Sequence, residues 1–303
     1  MADNSLALAT DFDPKTGMPV PVAPGVVRVS APNASPYTFT GTNSFLIGHD
    51  RVAVLDPGPD DDAHLAALLA AIDARPVEAI VLTHTHNDHS ALARRLQAVT
   101  GAPLWFEGPH RLSRPARPFE VNGVGRSSDW TLRPDRRLVD GETVHVGGVD
   151  LAVLATPGHC ANHLAFGVAG TPYLFSGDHV MGWNSTLVSV PDGSMADYFA
   201  SLEKLIAAPY SIYLPAHGGP IARGVEQARA LLAHRRMRNG QILDALSKGV
   251  DSIPGLLTAI YPGLSPKLLA AARMTLKAHL EYLEAEDRLR IRRTPLGLRL
   301  AVA

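Results

Sequence analysis

The chain has 303 residues, 46% of them hydrophobic, enough to bury one large domain or one large and one small domain. Its net charge of −1 provides no overall field that would draw it to nucleic acid or to an anionic membrane. Cys160 is the single cysteine, which excludes an intrachain disulfide, and no apolar run approaches the roughly 18 residues of a membrane span. We therefore expect a cytoplasmic protein.

The first two thirds of the chain alternate between strand-like and helix-like patterns. After a Pro-rich lead-in, short β-rich runs broken by Gly and Asn-Ser predict strands joined by tight turns. Apolar residues at helical spacing then predict a helix over residues 61–75, with Asp60–Asp62 near its N-terminus. A strand at 77–82 and a helix at 90–100 follow, and three further strand-like passages end in loops that carry His or Asp. This order predicts mixed sheets with helices outside.

The last part of the chain differs in texture and in charge. Residues 1–234 hold 16 Lys+Arg against 23 Asp+Glu (−7), whereas residues 235–303 hold 12 against 6 (+6). Three helix-like stretches and a terminal hairpin around Thr294–Gly297 are typical of a winged helix. We therefore predict a larger domain of mixed sheets and helices at 1–225 and a small α+β winged-helix domain at 226–303.

The stretch LTHTHNDHS, residues 82–90, concentrates three histidines and an aspartate. In an extended loop, side chains two residues apart point the same way, so His84 and His86 can converge on one ion. Asp88 and His89 are adjacent and should diverge, which lets the same loop reach a second ion. Neutral imidazole and carboxylate ligands suit Zn, Fe or Mn.

Further candidate ligands follow strand-like runs downstream: His159 in TPGHC, Asp178 in SGDHV and His217 in PAHGG. Together with the loop they resemble the metallo-β-lactamase superfamily, in order over roughly residues 25–220. The resemblance implies an α/β fold, the αββα sandwich, and two divalent metal ions per chain, zinc in first place. It assigns His84, His86 and His159 to the first ion and Asp178 to a bridging position.

The same resemblance assigns Asp88, His89 and His217 to the second ion, and Asp88 is also expected to orient the nucleophile. Asp56, in VLDPG, is expected to steady a ligand histidine. His163 and His179 are expected beside the ligands without binding the ions. Cys160 is interpreted as a packed, inert thiol. The remaining histidines are interpreted as surface or packing residues: His49, His64, His110, His145, His234 and His279.

Two basic regions leave alternatives open. A Pro/Arg-rich excursion at 107–137 could clamp an anionic substrate or be a solvated loop. Its arginines are Arg111, Arg114, Arg117, Arg126, Arg133, Arg136 and Arg137. The C-terminal positive charges could touch nucleic acid, as winged helices do, or form a solvated face beside an acidic domain. These are Lys267, Arg273, Lys277, Arg288, Arg290, Arg292 and Arg293.

A metallohydrolase core with a C-terminal winged helix is similar to the lactamase-β-like protein 2 family. That resemblance implies a dinuclear hydrolase in which a metal-bridging hydroxide cleaves a thioester, an ester or a phosphodiester. The substrate is then a small ester or thioester, or single-stranded RNA guided by the winged helix, and a homodimer is open. A thioesterase should have an apolar tunnel near Trp130, Trp183 and Tyr198. A di-iron redox protein on the same fold is a further alternative, and a catalytically inactive nucleic-acid scaffold conflicts with the intact ligand set.

Overall fold

A computed structural model describes residues 8–294 and 297–303 of the chain. It contains two large sheets and one terminal hairpin. The first sheet has strands β1 to β7 in sequence order: Pro19–Ala23, Val26–Ser30, Asn43–Ile47, Val52–Leu55, Val77–Val81, Leu104–Phe106 and Arg136–Arg137. Strands β1 to β4 pair antiparallel and β4 to β7 pair parallel. The predicted mixed sheet is therefore present.

The second sheet has the order β12-β11-β10-β9-β8. Its strands are β8 Thr143–Val146, β9 Val149–Ala155, β10 Leu164–Val168, β11 Tyr173–Gly177 and β12 Ile212–Pro215. Only the β11–β12 pair is parallel. The helices are α1 Asp62–Ile72, α2 Asn87–Ser90, α3 Ala93–Thr100, α4 Met195–Ala207, α5 Gly224–Ser247, α6 Ile253–Ile260 and α7 Pro266–Ala285.

The two sheets pack face to face because their strands alternate apolar side chains between two faces. Phe45 of β3 lies against Phe175 of β11 across the shared core, with ring centroids 5.1 Å apart. On the outer face of the first sheet, Leu46 packs with the helices α1 and α3. On the outer face of the second, Leu174 packs with α4 and α5. The layers are helix, sheet, sheet, helix.

The predicted helix starts are largely where the sequence places them. Asp61 caps α1 by accepting a hydrogen bond of 2.8 Å from the backbone N–H of His64. The helix predicted at 90–100 is instead two pieces, the short turn α2 and then α3, with Ala91 and Leu92 between them. That break allows residues 87–90 to coil back toward the end of β5.

Helices α6 and α7 and the hairpin of β13 (Leu289–Thr294) and β14 (Gly297–Val302) build the C-terminal unit. Helix α5 joins both parts: Leu231 belongs to the core under the second sheet, whereas Ile242 belongs to the core of the C-terminal unit. The division at residues 225/226 therefore stays a prediction, since it falls within this continuous helix. Pro295 and Leu296 of the predicted wing lie outside the described residues. In the described chain, no helix is both long and apolar enough to cross a membrane.

Candidate metal centre

The first group of candidate ligands lies where β5 ends and the loop before α2 begins. The Nε2 atom of His84 is 3.0 Å from Nδ1 of His86, which in turn is 2.9 Å from Nε2 of His159. An Oδ2 atom of Asp178 lies 3.5 Å from the same His159 nitrogen. The expected convergence of His84 and His86 is therefore present, and His159 and Asp178 join it from the second sheet.

The second group adjoins the first and shares Asp178 with it. The Oδ2 atom of Asp88 lies 3.6 Å from Nε2 of His89 and 3.4 Å from Nε2 of His217. The Oδ1 atom of Asp178 is 3.5 Å and 3.2 Å from those two nitrogens. Asp88 and His89 thus converge instead of diverging, because residues 87–90 form a helical turn and not an extended loop.

These donor atoms fit divalent metal ions. Ligands held at about 2.0–2.1 Å from a tetrahedral ion lie about 3.3 Å from one another, close to the separations in both groups. His89 Nε2, His217 Nε2 and Asp178 Oδ1 are buried, and none has a hydrogen-bond partner among the described residues. Buried polar atoms without partners are costly, and a metal ion is the partner that this donor set suits.

Each of the five candidate ligand histidines uses its other ring nitrogen in a hydrogen bond to oxygen, which fixes the ring and the tautomer. Asp56 Oδ2 accepts from His89 Nδ1 at 2.9 Å, and Asp56 also accepts from the N–H and the hydroxyl of Thr83 at 2.7 Å each. The Thr83 hydroxyl in turn lies 2.9 Å from His84 Nδ1. The carbonyl oxygens of Leu187 and Gly41 accept from His159 and His217 at 2.7 and 3.2 Å.

The fifth support is Asp192, which the sequence interpretation missed. Its Oδ2 accepts from His86 Nε2 at 3.2 Å and its Oδ1 accepts from His110 Nε2 at 2.7 Å. His110 is fixed from its other side by Thr85 Oγ1 at 2.9 Å. Burial raises the pKa of Asp192, but hydrogen bonds from His110 and His86 outweigh it and hold the carboxylate ionised. Spacing gave no signal for Asp192, because it lies 106 residues from His86.

His163 and His179 lie near the ligands in different ways. His163 accepts a 3.1 Å hydrogen bond from the backbone N–H of Asp178 and donates to Thr156 Oγ1 at 2.8 Å, so it positions the shared carboxylate. His179 is fully buried and stacks near Tyr198, with ring centroids 4.5 Å apart. Neither nitrogen of His179 has a partner in the described chain. It packs beneath the site.

The remaining histidines and the cysteine divide between surface and interior. His49 and His145 are exposed, His64 and His279 are buried, and His234 is half-buried. Buried Cys160 is within 4.8 Å of His84 and His86, but its Sγ contacts Asn162 Oδ1 at 3.4 Å. Burial raises the pKa of its thiol well above the ordinary value, which keeps Cys160 protonated.

The carboxylates give the centre a field that attracts cations. Burial lowers the pKa of His217, but Asp178 and Asp88 outweigh burial and raise that pKa to about 9. For Asp178 burial acts to raise the pKa, yet His217 and His89 bring it well below the usual range. The two carboxylates thus stabilise a positive charge at His217, and a divalent cation that binds there replaces the proton, because only neutral imidazole is a metal ligand.

A cavity of about 430 Å³ opens directly over both ligand groups. His86, Asp88 and Asp178 form its polar floor, and Met181 of the hydrolase domain and Met274 of helix α7 are among the apolar residues in its walls. The C-terminal unit therefore contributes to the space in which a substrate would lie.

The Arg-rich segment is mostly tied to carboxylates. Arg111, Arg114, Arg117, Arg136 and Arg137 form ion pairs with Glu107, Glu120, Glu142 and Glu281. Arg133 donates to the carbonyl oxygens of Trp130 and Leu132. Arg126 differs: it is exposed, lines the metal-site cavity and has no ion-pair partner in the described chain. Of the seven arginines in the segment, Arg126 is therefore the remaining candidate for the clamp alternative.

Two family models match the chain. Residues 37–217 match the Metallo-beta-lactamase superfamily, and residues 252–293 match the Beta-lactamase associated winged helix domain. The first match covers more than half of the 303 residues, so the chain belongs to the metallo-beta-lactamase superfamily, and it is a hydrolase of that superfamily. The predicted sandwich with a C-terminal winged helix is confirmed.

Relatives match most of the chain. A beta-lactamase-like protein 2 homolog of Caenorhabditis elegans is 29% identical over 74% of this chain and 71% of its own length. An atrochrysone carboxyl ACP thioesterase of Aspergillus chevalieri is 30% identical over 74% of this chain and 67% of its own. The crystal structure of a beta-lactamase domain protein from Burkholderia ambifaria has a TM-score of 0.81 at 26% identity, covering 100% of this chain and 99% of that one.

Proposed function

We propose that the chain is a dinuclear metal-dependent hydrolase of esters or thioesters. The observation that carries this proposal is the arrangement of seven donor residues in two groups joined by Asp178. Zinc is the first choice of metal, and the same ligands accept iron or manganese. The residues proposed to hold the two ions are His84, His86, His159, Asp88, His89, His217 and Asp178.

When bound, divalent ions at such a site supply a water-derived nucleophile at neutral pH and polarise the scissile carbonyl. The chain contributes position and proton control. Asp88 reaches the floor of the cavity, where its carboxylate can accept a hydrogen bond from the attacking water and orient it. Asp56, Asp192 and His163 keep the ligands in place, so little reorganisation is needed during turnover.

Two observations support an ester or thioester over RNA. A relative 30% identical to this chain is named as an acyl-carrier-protein thioesterase, and the cavity is walled by apolar side chains such as Val124, Leu187 and Met274. On helix α7, Met274 lines the cavity and Glu281 forms an ion pair with Arg114. The basic residues Arg288, Arg290 and Arg292 are exposed, so the endoribonuclease alternative stays testable.

The test is a parallel assay of the metal-replete protein on an acyl thioester of N-acetylcysteamine and on single-stranded RNA, with metal content measured by elemental analysis. We expect two ions per chain and thioester hydrolysis that Asp178→Asn abolishes, because both ligand groups lose their shared carboxylate. The matched control is Asp150→Asn, since Asp150 is an exposed carboxylate that hydrogen-bonds exposed His145. One ion at saturation, or RNA cleavage without thioester hydrolysis, would overturn the proposal.

A further inference from the structure

A second cavity of about 800 Å³ lies between the hydrolase domain and the C-terminal unit. Trp183 and nearby residues form its hydrolase side, and α5, Tyr261 and α7 form the opposite side. Tyr37, Met181, Thr186 and Leu187 line both this cavity and the one over the metal centre. The two cavities therefore adjoin along these four residues.

Several residues that line the second cavity carry a side-chain nitrogen without a hydrogen-bond partner. Four side-chain nitrogens of residues that line it are buried and unpartnered among the described residues. They are Trp183 Nε1, His234 Nδ1, Arg235 Nε and Arg238 Nε. Three of them are N–H donors, whereas His234 Nδ1 donates or accepts according to its tautomer, so the polar groups of this region are not all satisfied within the described residues.

The charge of this cavity points to the kind of ligand. Arg235 is 3% exposed, and its guanidinium donates to the carbonyl of Thr186 and lies 5.6 Å from the Tyr198 ring. Neither Arg235 nor Arg238 forms an ion pair in the described chain, and no described Asp or Glu lines the cavity. A buried cation without a counter-ion is costly.

The pKa values of two neighbouring histidines reflect the positive charge of these arginines. Burial and then the guanidinium groups of Arg235 and Arg238 lower the pKa of His234 to about 4. The same causes lower the pKa of His279 well below its ordinary value. At neutral pH the two arginines therefore carry the charge of the cavity, and the histidines are neutral.

We infer that the second cavity is a subsite for an anionic group of the substrate, a carboxylate or a phosphate, held by Arg235 and Arg238. The inference rests on the proposed function, which places the scissile bond at the metal centre. The planar guanidinium groups can donate charge-assisted hydrogen bonds to an oxyanion, and the apolar wall between the cavities suits the chain that joins the anion to the scissile carbonyl.

Matched pairs of thioesters test this inference and identify where the anion lies. The first pair is glutaryl and pentanoyl N-acetylcysteamine, which differ by a carboxylate on the acyl side. The second pair is acetyl phosphopantetheine and acetyl pantetheine, which differ by a phosphate on the thiol side. We expect the anionic member of one pair to have a KM lower by about 10- to 100-fold, as charged hydrogen bonds provide. Equal KM values within both pairs would overturn the inference.

The variant Arg238→Met assigns the preference to the cavity, because Arg238 is half-buried and its removal leaves the fully buried Arg235 in place. We expect it to erase about tenfold or more of the preference, measured as the ratio of the KM values within a pair. The control is Arg236→Met, two residues away on α5, where the exposed arginine pairs with Glu203 outside the cavity. Equal losses for anionic and neutral substrates in Arg238→Met would count against the inference.

Direct binding separates this inference from the hydrolase proposal. Calorimetry with glutarate and with inorganic phosphate, on metal-replete protein, should give binding that Arg238→Met weakens and Arg236→Met does not. If thioesters are not hydrolysed but this difference is observed, the anion site stands without the proposed activity. Identical binding by wild type and Arg238→Met refutes the anion site, whatever the catalytic result.

Discussion

The proposed metal centre and the second cavity differ in how their polar groups are hydrogen-bonded. At the proposed metal centre, all five candidate ligand histidines have the far ring nitrogen hydrogen-bonded to an oxygen, which leaves the nitrogen that faces the site to bind an ion. In the second cavity, the Nε atoms of Arg235 and Arg238 have no partner among the described residues, although the terminal nitrogens of both guanidinium groups donate to nearby oxygens. The candidate metal ligands are thus held in position before an ion binds, whereas the arginines of the second cavity gain a counter-ion only when an anion binds.

The difference has an energetic consequence. Rigid ligands reduce the reorganisation required when ions bind, which favours tight and geometrically selective binding. Guanidinium groups without a counter-ion instead destabilise the free protein, and an anion that pairs with them recovers that cost as affinity. Changes to the supports of the metal centre should therefore act on metal affinity, whereas changes around the second cavity should act on substrate preference and stability.

The largest effect is expected from Asp56→Asn. Asp56 supports His89 directly and His84 through Thr83, and an amide has one oxygen to accept what two carboxylate oxygens accept now. We expect metal affinity to fall by about 100-fold, the upper range for loss of a ligand support. Competition with a chromogenic chelator measures it, and Asp150→Asn is again the control. Unchanged affinity would show that the ligand histidines hold their positions without this support.

A smaller effect is expected from Asp192→Asn, because Asp192 supports a single ligand, His86. Metal affinity should fall by about 10-fold, with one ion lost more readily than the other. Stepwise titration with the chelator resolves the two ions. If both ions weaken equally, the two ligand groups act as one unit through Asp178, and the distinction between them fails.

The histidine loop was predictable because its ligands are close in sequence and the loop places them at one strand end. His84, His86 and the downstream motifs predicted the donor set, and the strand and helix periodicities predicted the layers. The convergence of Asp88 with His89 was not predictable from an extended loop, since it depends on the short turn α2. Local conformation decided that detail.

Contacts between distant segments escaped the sequence interpretation. Asp192 lies in the segment between β11 and α4, and only the tertiary fold brings it to His86 and His110. His110, interpreted as a surface or packing residue, is buried in that network. Of the three residues expected beside an apolar tunnel, Trp183 lines the second cavity, whereas Trp130 and Tyr198 line neither of the two cavities. Tyr198 packs beside His179 instead.

The smallest effect is expected from Arg114→Gln. This change tests only the contact between the Arg-rich segment and the C-terminal unit. Arg114 bonds Glu120 of the excursion and Glu281 of α7 at 2.6 Å each, with 24% of its side chain exposed. Its removal should lower the free energy of unfolding by about 1–3 kcal/mol, the range for hydrogen bonds to charged groups, without changing metal affinity. Urea unfolding measures this loss, and Arg111→Gln, with a more exposed pair, is the control.

The pH dependence of this stability difference tests whether the charge of Arg114 is its cause. The hydrogen bond from Arg114 lowers the pKa of Glu120 from 4.5 to about 2, more than burial raises it. A depressed carboxyl pKa stabilises the folded state fully above the ordinary pKa, and the contribution is lost as the pH falls toward the folded value. The stability difference between wild type and Arg114→Gln should therefore be constant from pH 7 to about 5 and shrink between about 4.5 and 2. A difference that is independent of pH would mean that Arg114 acts through packing of its stem against the C-terminal unit and not through its charge.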